Sequence, residues 1–207
     1  MKFKKRSKKF LKDFWFLLWK DDSLKGWIFS IIIIFVFIKF IFFPGLSLIT
    51  GTSLPLAIVE SCSMYHQGNL FSNFDNWWEI KEEVYEGYTI NKLDFEKFIF
   101  KKGFNKGDIL FVIKANPEKL KVGDVIIFDS NYQNPIIHRI VEIKDENGEK
   151  IFFTLGDNNP QQLSFDKNII QDQLVGKAVL KIAPYIGWGK LLFFEGGKSP
   201  SERGLCD

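Results

Sequence analysis

The sequence predicts a mainly β protein: a single N-terminal transmembrane helix followed by an antiparallel, barrel-like β domain with a small helical insert. Three observations predict it. One apolar run near the amino terminus is about twenty residues long, the length of a membrane span. Beyond it, short strand-like segments alternate with turn residues, with almost no helical periodicity among them. One stretch, 67–105, breaks that pattern with apolar residues at mixed three- and four-residue spacing. At 207 residues the chain has room for one core and one span, and not for two full domains.

The leader comes first. Residues 1–25 hold eight Lys and one Arg against three Asp, a net of +6. The whole chain carries +3, so the remainder carries −3. The net positive charge is confined to the leader, which makes a nucleic-acid-binding surface on the folded part a poor reading. Phe10, Leu11, Phe14, Trp15, Leu17 and Leu18 among the lysines suggest that segment 1–23 is amphipathic. It either lies as a short helix in the cytoplasmic headgroup layer or simply extends the anchor.

The anchor is read as residues 24–43, centred on Ile31-Ile32-Ile33-Ile34-Phe35-Val36-Phe37-Ile38. Twenty residues rise roughly 30 Å, the thickness of a hydrocarbon core. Lys39, the one charge in its interior, lies near enough to the end to snorkel. Pro44-Gly45 is expected to stop the helix. The run is longer than the apolar core of a removable signal peptide, and Gly45-Leu46-Ser47 is a poor cleavage site. Lys and Arg before the span, and few just after it, orient the N-terminus inside and the rest outside a cell membrane.

Strands are expected at Leu54–Glu60, Asp108–Lys114, Asp124–Asp129, Ile136–Ile143, Lys150–Leu155 and Val175–Ile182. Asn147-Gly148, a pair that readily takes positive φ, closes a hairpin between the fourth and fifth. They make a β domain of 44–66 and 106–190, followed by a tail, 191–207. In the insert, Trp77-Trp78, Ile80, Val84, Tyr85 and Tyr88 suit one amphipathic helix, and Asn91 to Phe100 a second. The lobe is either a stabilising cap or a lid and docking surface beside a site. Two cysteines, Cys62 and Cys206, are too few for a disulfide framework, and nothing in the sequence demands that they pair.

The chemistry-bearing residues are a serine cluster, Ser61-Cys62-Ser63-Met64, after the first strand, and only two histidines, His66 and His138. A serine hydroxyl needs a neighbouring base to become a nucleophile. His138 has Ile136, Ile137, Ile140 and Val141 around it, surroundings that favour the uncharged imidazole such a base requires. His66, three residues beyond Ser63 in a polar stretch, is the weaker choice. Gly156-Asp157-Asn158-Asn159 then supplies an acid.

These residues resemble the boxes of type I signal peptidases. Ser61-Cys62-Ser63-Met64 is similar to their Ser-Gly-Ser-Met box. Gly123–Phe128 with Ile137-His138-Arg139-Ile140 resembles their Gly-Asp-Val strand and base box. Leu155-Gly156-Asp157-Asn158-Asn159 resembles their Lys-Gly-Asp-Asn-Asn box, and Pro184-Tyr185-Ile186-Gly187-Trp188 a segment near their carboxyl end. Histidine in the base position, where bacterial relatives carry lysine, marks the archaeal and endoplasmic-reticulum kind; the missing lysine leans archaeal.

The resemblance implies a catalytic β domain in which Ser63 is the nucleophile and His138 the base. Ser61 Oγ and the Ser63 N–H would be the oxyanion donors. For the acid, Asp157 is the first choice and Asp166 the second, and either could instead form a turn or cap a loop. Cys62 stands where the family has glycine, and Tyr65-His66 replaces its acidic-Pro pair. The chemistry needs no cofactor and no metal. The implied substrates are signal peptides of pre-proteins, with membrane lipids and the protein-translocation channel as further partners. Two other readings compete: a sortase-like transpeptidase using Cys62, His138 and Arg139, and a non-catalytic subunit of a secretion complex.

Overall fold

A computed structural model of the chain describes residues 12–68, 74–130, 134–197, 199 and 203–206. The chain divides into two compact units, Met1–Ile49 and Thr50–Asp207.

In the first unit, residues 12–19 are helical and a short turn follows. Ser23 caps helix α1 (Leu24–Phe37), its side chain accepting from Gly26 N at 3.1 Å. The turn folds residues 12–19 back along α1: Ser30 Oγ donates to Leu18 O (2.9 Å), and Phe14 meets Phe29 edge to face. The segment is therefore a separate helix and not an extension of the anchor. Phe10 and Leu11 lie outside the described residues.

The anchor is longer than expected. A π-helical stretch (Ile38–Phe42) follows α1 and leads into α2 (Phe43–Thr50) without a break. The 27 residues Leu24–Thr50 thus form one helix long and apolar enough to cross a membrane. Pro44-Gly45 does not stop it. The Phe43 N–H reaches Ile38 O in π register, and this wider turn takes up Pro44 inside the continuous helix.

The second unit is built on one sheet of six strands, all paired antiparallel. They are β1 (Leu56–Ile58), β2 (Ile109–Ile113), β3 (Val125–Phe128), β4 (Ile136–Glu146), β5 (Glu149–Leu155) and β6 (Leu174–Ala183). Their order is β1-β2-β6-β3-β4-β5. The sheet is open, with β1 and β5 as its edges among the described residues. Every expected strand is present within a few residues of its expected bounds. Asn147 and Gly148, at φ 56° and 84°, make the tight β4–β5 turn.

Strand β3 shows why the sheet holds. Val125 and Ile127 enter one apolar cluster with Met64, Phe104 and Leu110; Ile126 and Phe128 enter another with Ile140 and Phe152. All four are fully buried, so both faces of this strand are covered. Each contributes on the order of 1.5–3 kcal/mol by burial.

The insert carries helices α3 (Phe74–Glu86) and α4 (Lys92–Phe95), the latter capped by Asn91. Trp77, Trp78, Tyr85 and Phe95 form a third cluster that seats the lobe on Val141 of β4 and Leu155 of β5. Helix α5 (Trp188–Phe194) follows β6.

Candidate active site

Strand β4 delivers His138 and Arg139 side by side. Successive residues of a strand face opposite sides of its sheet, and these two reach different carboxylates.

The His138 Nδ1 lies 2.5 Å from Asp166 Oδ1. Asp166 is fully buried in a single 3-10 turn (Ser164–Asp166). Thr154 Oγ1 donates to the same oxygen at 2.6 Å, and Leu163 N donates to Oδ2 at 3.0 Å. An ionised carboxylate only accepts, so Nδ1 carries a proton, and in the neutral ring Nε2 then carries a lone pair. That Nε2 has no hydrogen bond to another of the described residues.

Arg139 turns the other way and forks onto Asp157. Its Nε donates to Oδ1 (2.9 Å) and its Nη2 to Oδ2 (2.7 Å). The remaining donors reach the carbonyls of Ile99, Phe100 and Gly123, each at 3.0 Å. Tyr85 Oη donates to Asp157 Oδ1 and His66 Nε2 meets Oδ2, both at 2.8 Å. Four donors saturate this carboxylate, and none comes from His138. The acid that pairs with His138 is thus Asp166, not the first choice, Asp157.

The electrostatics follow from burial. Desolvation pushes the Asp157 carboxyl up, but the Arg139 guanidinium and His66 outweigh it and hold the group well below the usual carboxylate range. Burial pushes the His66 imidazole down, and Asp157 restores only part of the loss. His66 is stacked flat on Trp77, ring centroids 3.6 Å apart. It serves the Asp157 cluster and stands apart from the His138–Asp166 pair.

The serine cluster lies in a loop beyond β1, not in an extended strand; Tyr65 N closes a turn onto Cys62 O at 3.1 Å. Ser61 Oγ and Ser63 Oγ are 3.1 Å apart. The Gly156–Asn159 loop is fastened to this segment. Asn158 N donates to Ser63 O (2.8 Å), its side chain to Cys62 O (3.1 Å), and Asp157 N to Met64 Sδ (3.4 Å). From beneath, Lys81 of α3 holds Asn158 O (2.7 Å) and Asn159 O (3.2 Å). The insert therefore braces the site loop through Lys81 and Tyr85.

Gly156 is where these parts converge. A Cβ on it would lie 2.7 Å from His138 Nε2 and 2.8 Å from both Ser63 O and Asn159 Nδ2. Only glycine leaves that space, and the Ser63 backbone and the open edge of the His138 ring meet over it.

The cysteine reading is overturned. Cys62 is joined to Cys206 by a disulfide, so it offers no thiol, and Arg139 is locked onto Asp157. Sequence reasoning also missed the Arg139–Asp157–Tyr85–His66 cluster, since Tyr85 reads from sequence only as an apolar helix face.

With the serine loop, the His138–Asp166 pair and the Gly156 loop in place, the chain can be compared with known proteins. The signal peptidase complex catalytic subunit SEC11 of Eremothecium gossypii is 32% identical over 123 residues, 58% of this chain and 51% of the relative. That of Lachancea thermotolerans is 28% identical over 123 residues, with the same coverage. Its homologues are signal peptidase catalytic subunits. The human subunit SEC11C is 33% identical over 58 residues, 27% of this chain and 30% of that protein. The chain spans about half the length of these two fungal relatives. No family model matches it. These relatives come from fungi and from human, and nothing in them supports the archaeal leaning.

Proposed function

We propose that this chain is a membrane-anchored serine endopeptidase that removes signal peptides from pre-proteins, with Ser63, His138 and Asp166 as its triad. The observation that carries the reading is the convergence at Gly156: an acid-backed imidazole, its Nε2 open, beside the backbone of a serine whose neighbour Ser61 offers a second hydroxyl.

Ser63 Oγ attacks the scissile carbonyl carbon as its proton passes to His138 Nε2. The developing oxyanion accepts from the Ser63 N–H and from Ser61 Oγ, which turns from Ser63 toward it. One such donor typically lowers the barrier by about 2.7–4 kcal/mol. The C–N bond then breaks and His138 returns the proton to the departing amine. Water then attacks the ester carbon as its proton passes to the same nitrogen, and the C–O bond breaks as His138 returns that proton to Ser63 Oγ. Asp166 keeps the proton on Nδ1 throughout and stabilises the imidazolium. Asp157 acts as a structural carboxylate, pinning the Gly156 loop to Arg139.

The Leu24–Thr50 helix is the anchor, with the amino terminus cytoplasmic and the β unit on the far side of the membrane. The Cys62–Cys206 bridge supports that side, because disulfides persist in oxidising compartments. There a tethered enzyme meets cleavage sites emerging from the bilayer at high effective concentration. Membrane lipids and the translocation channel are its partners. Cleavage of a model pre-protein by the chain in lipid vesicles tests the reading. His138→Ala is expected to lose at least about 10³-fold in rate; undiminished cleavage by that variant would reject the proposed base.

A further inference from the structure

The segment around α5 and Cys206 is fastened to the nucleophile loop at two points. Cys62, bonded to Cys206, stands between Ser61 and Ser63. Two residues before Cys62, Glu60 Oε1 accepts from Lys190 Nζ of α5 at 2.8 Å. The far ends of both ties are themselves moored. Gly204 N donates to Glu195 Oε2 (2.9 Å), which also accepts from the buried Lys106 Nζ (2.9 Å). Arg203 Nη2 donates to Gly196 O (2.9 Å). Leu191 is buried, and Trp188 Nε1 donates to Lys106 O (2.9 Å).

Met64 anchors the far end of this loop in the core, but the two serine side chains have little packing of their own. Ser61 is exposed and Ser63 only half-buried, and the Oγ of each is bonded to the other's. A hydroxyl that must meet an oxyanion in one orientation depends on the backbone that carries it.

We propose that helix α5 and the segment 203–206 strap the nucleophile loop, covalently through the Cys62–Cys206 bridge, with Cys62 and Cys206 as positioning residues that hold Ser61 and Ser63 in their working geometry. The chain then turns over at full rate only while the bridge is intact. This rests on the reading of Ser63 as the nucleophile. The bridge also closes a span of 144 residues, so losing it lowers stability as well. The test must separate the two effects.

The full chain in phospholipid vesicles is treated with dithiothreitol below the melting temperature of the reduced form. The dithiol passes two electrons and two protons to the Cys62–Cys206 bond, becoming a cyclic disulfide and leaving two protein thiols. kcat for a model pre-protein is expected to fall about ten- to a hundredfold with KM nearly unchanged, as for misplaced catalytic groups. Oxidised glutathione restores it. The Cys62→Ser/Cys206→Ser variant runs at the reduced rate and ignores both reagents. Hydrogen exchange in peptides covering 56–66 and 156–160 quickens on reduction.

Unchanged kcat and unchanged exchange in the reduced, folded chain overturn the strap, as does inhibition of the double variant by dithiothreitol. If the oxidised chain cleaves no pre-protein, the proposed activity falls. Exchange alone then decides the strap: faster supports it, unchanged refutes it. If the reduced chain melts too low to assay, Lys190→Ala with the bridge intact takes its place. Lys190 is half-exposed, and a kcat loss at constant KM is expected from it; full kcat refutes the proposal.

Discussion

Replacing Asp166 with Asn keeps its size and removes one charge, and the surroundings dictate how the new amide must lie. Oδ2 of Asp166 accepts from Leu163 N, and Oδ1 accepts from Thr154 Oγ1 and His138 Nδ1. An amide NH₂ turned toward Leu163 would set two donors against each other at a buried position, at a cost of about 1–3 kcal/mol. Its oxygen therefore faces Leu163 and its NH₂ faces His138. Nδ1 then becomes the acceptor, the proton moves to Nε2, and the nitrogen that takes the Ser63 proton in the proposed mechanism is blocked. The equivalent change in serine-protease triads lowers kcat roughly 10⁴-fold, about 5 kcal/mol of barrier. Stability should change by about 1 kcal/mol, a few degrees in Tm for a chain of this size. Asp157→Asn should do the reverse. It leaves the Arg139 guanidinium buried without its charge partner, costing about 3–5 kcal/mol and on the order of 10 °C in Tm. The folded fraction should lose no more than about a hundredfold in kcat, through displacement of the Asn158–Ser63 contact. Pre-protein cleavage in vesicles, read beside thermal melting, separates the two variants. Near-normal cleavage by Asp166→Asn together with a folded but inert Asp157→Asn would refute the assignment.

Two further outcomes follow from the same geometry. Gly156→Ala sets a methyl 2.7 Å from His138 Nε2 and 2.8 Å from Ser63 O, so one of them must shift and kcat should fall about 10²-fold; an active Gly156→Ala would place the working groups elsewhere. Stability should decline with acid, because the folded His66 titrates lower than the unfolded one. The unfolded chain then binds more protons as pH drops below about 6.5, with Asp157 adding a second loss below about 3.9. Melting across that range checks it: wild type should lose Tm on acidification, His66→Gln should lose less above about pH 5, and a wild-type Tm that rises toward acid would contradict the account.

The strands were legible because each is a short apolar run bounded by turn residues, as Val125–Phe128 is by Gly123-Asp124 and Asp129. The insert was legible because Trp77, Trp78 and Tyr85 recur at helical spacing. Two kinds of feature were not. A local rule misled at Pro44-Gly45, where a π turn absorbs the proline and the helix continues. The partners of His138 and Cys62 depend on which loops the sheet order brings together. Asp157 and Asp166 are both downstream acids in a loop-rich stretch, and only the fold shows that Arg139 claims the first and His138 the second. Cys206, 144 residues from Cys62, gave no local sign of its partner.

The most direct measurement is the rate at which the oxidised, full-length chain and its Ser63→Ala variant release a signal peptide from a pre-protein held in the same vesicles. Loss of at least about 10³-fold, with Tm and the Cys62–Cys206 bridge unaltered, is the expected result. Release at the wild-type rate by a chain with no hydroxyl at position 63 would contradict it.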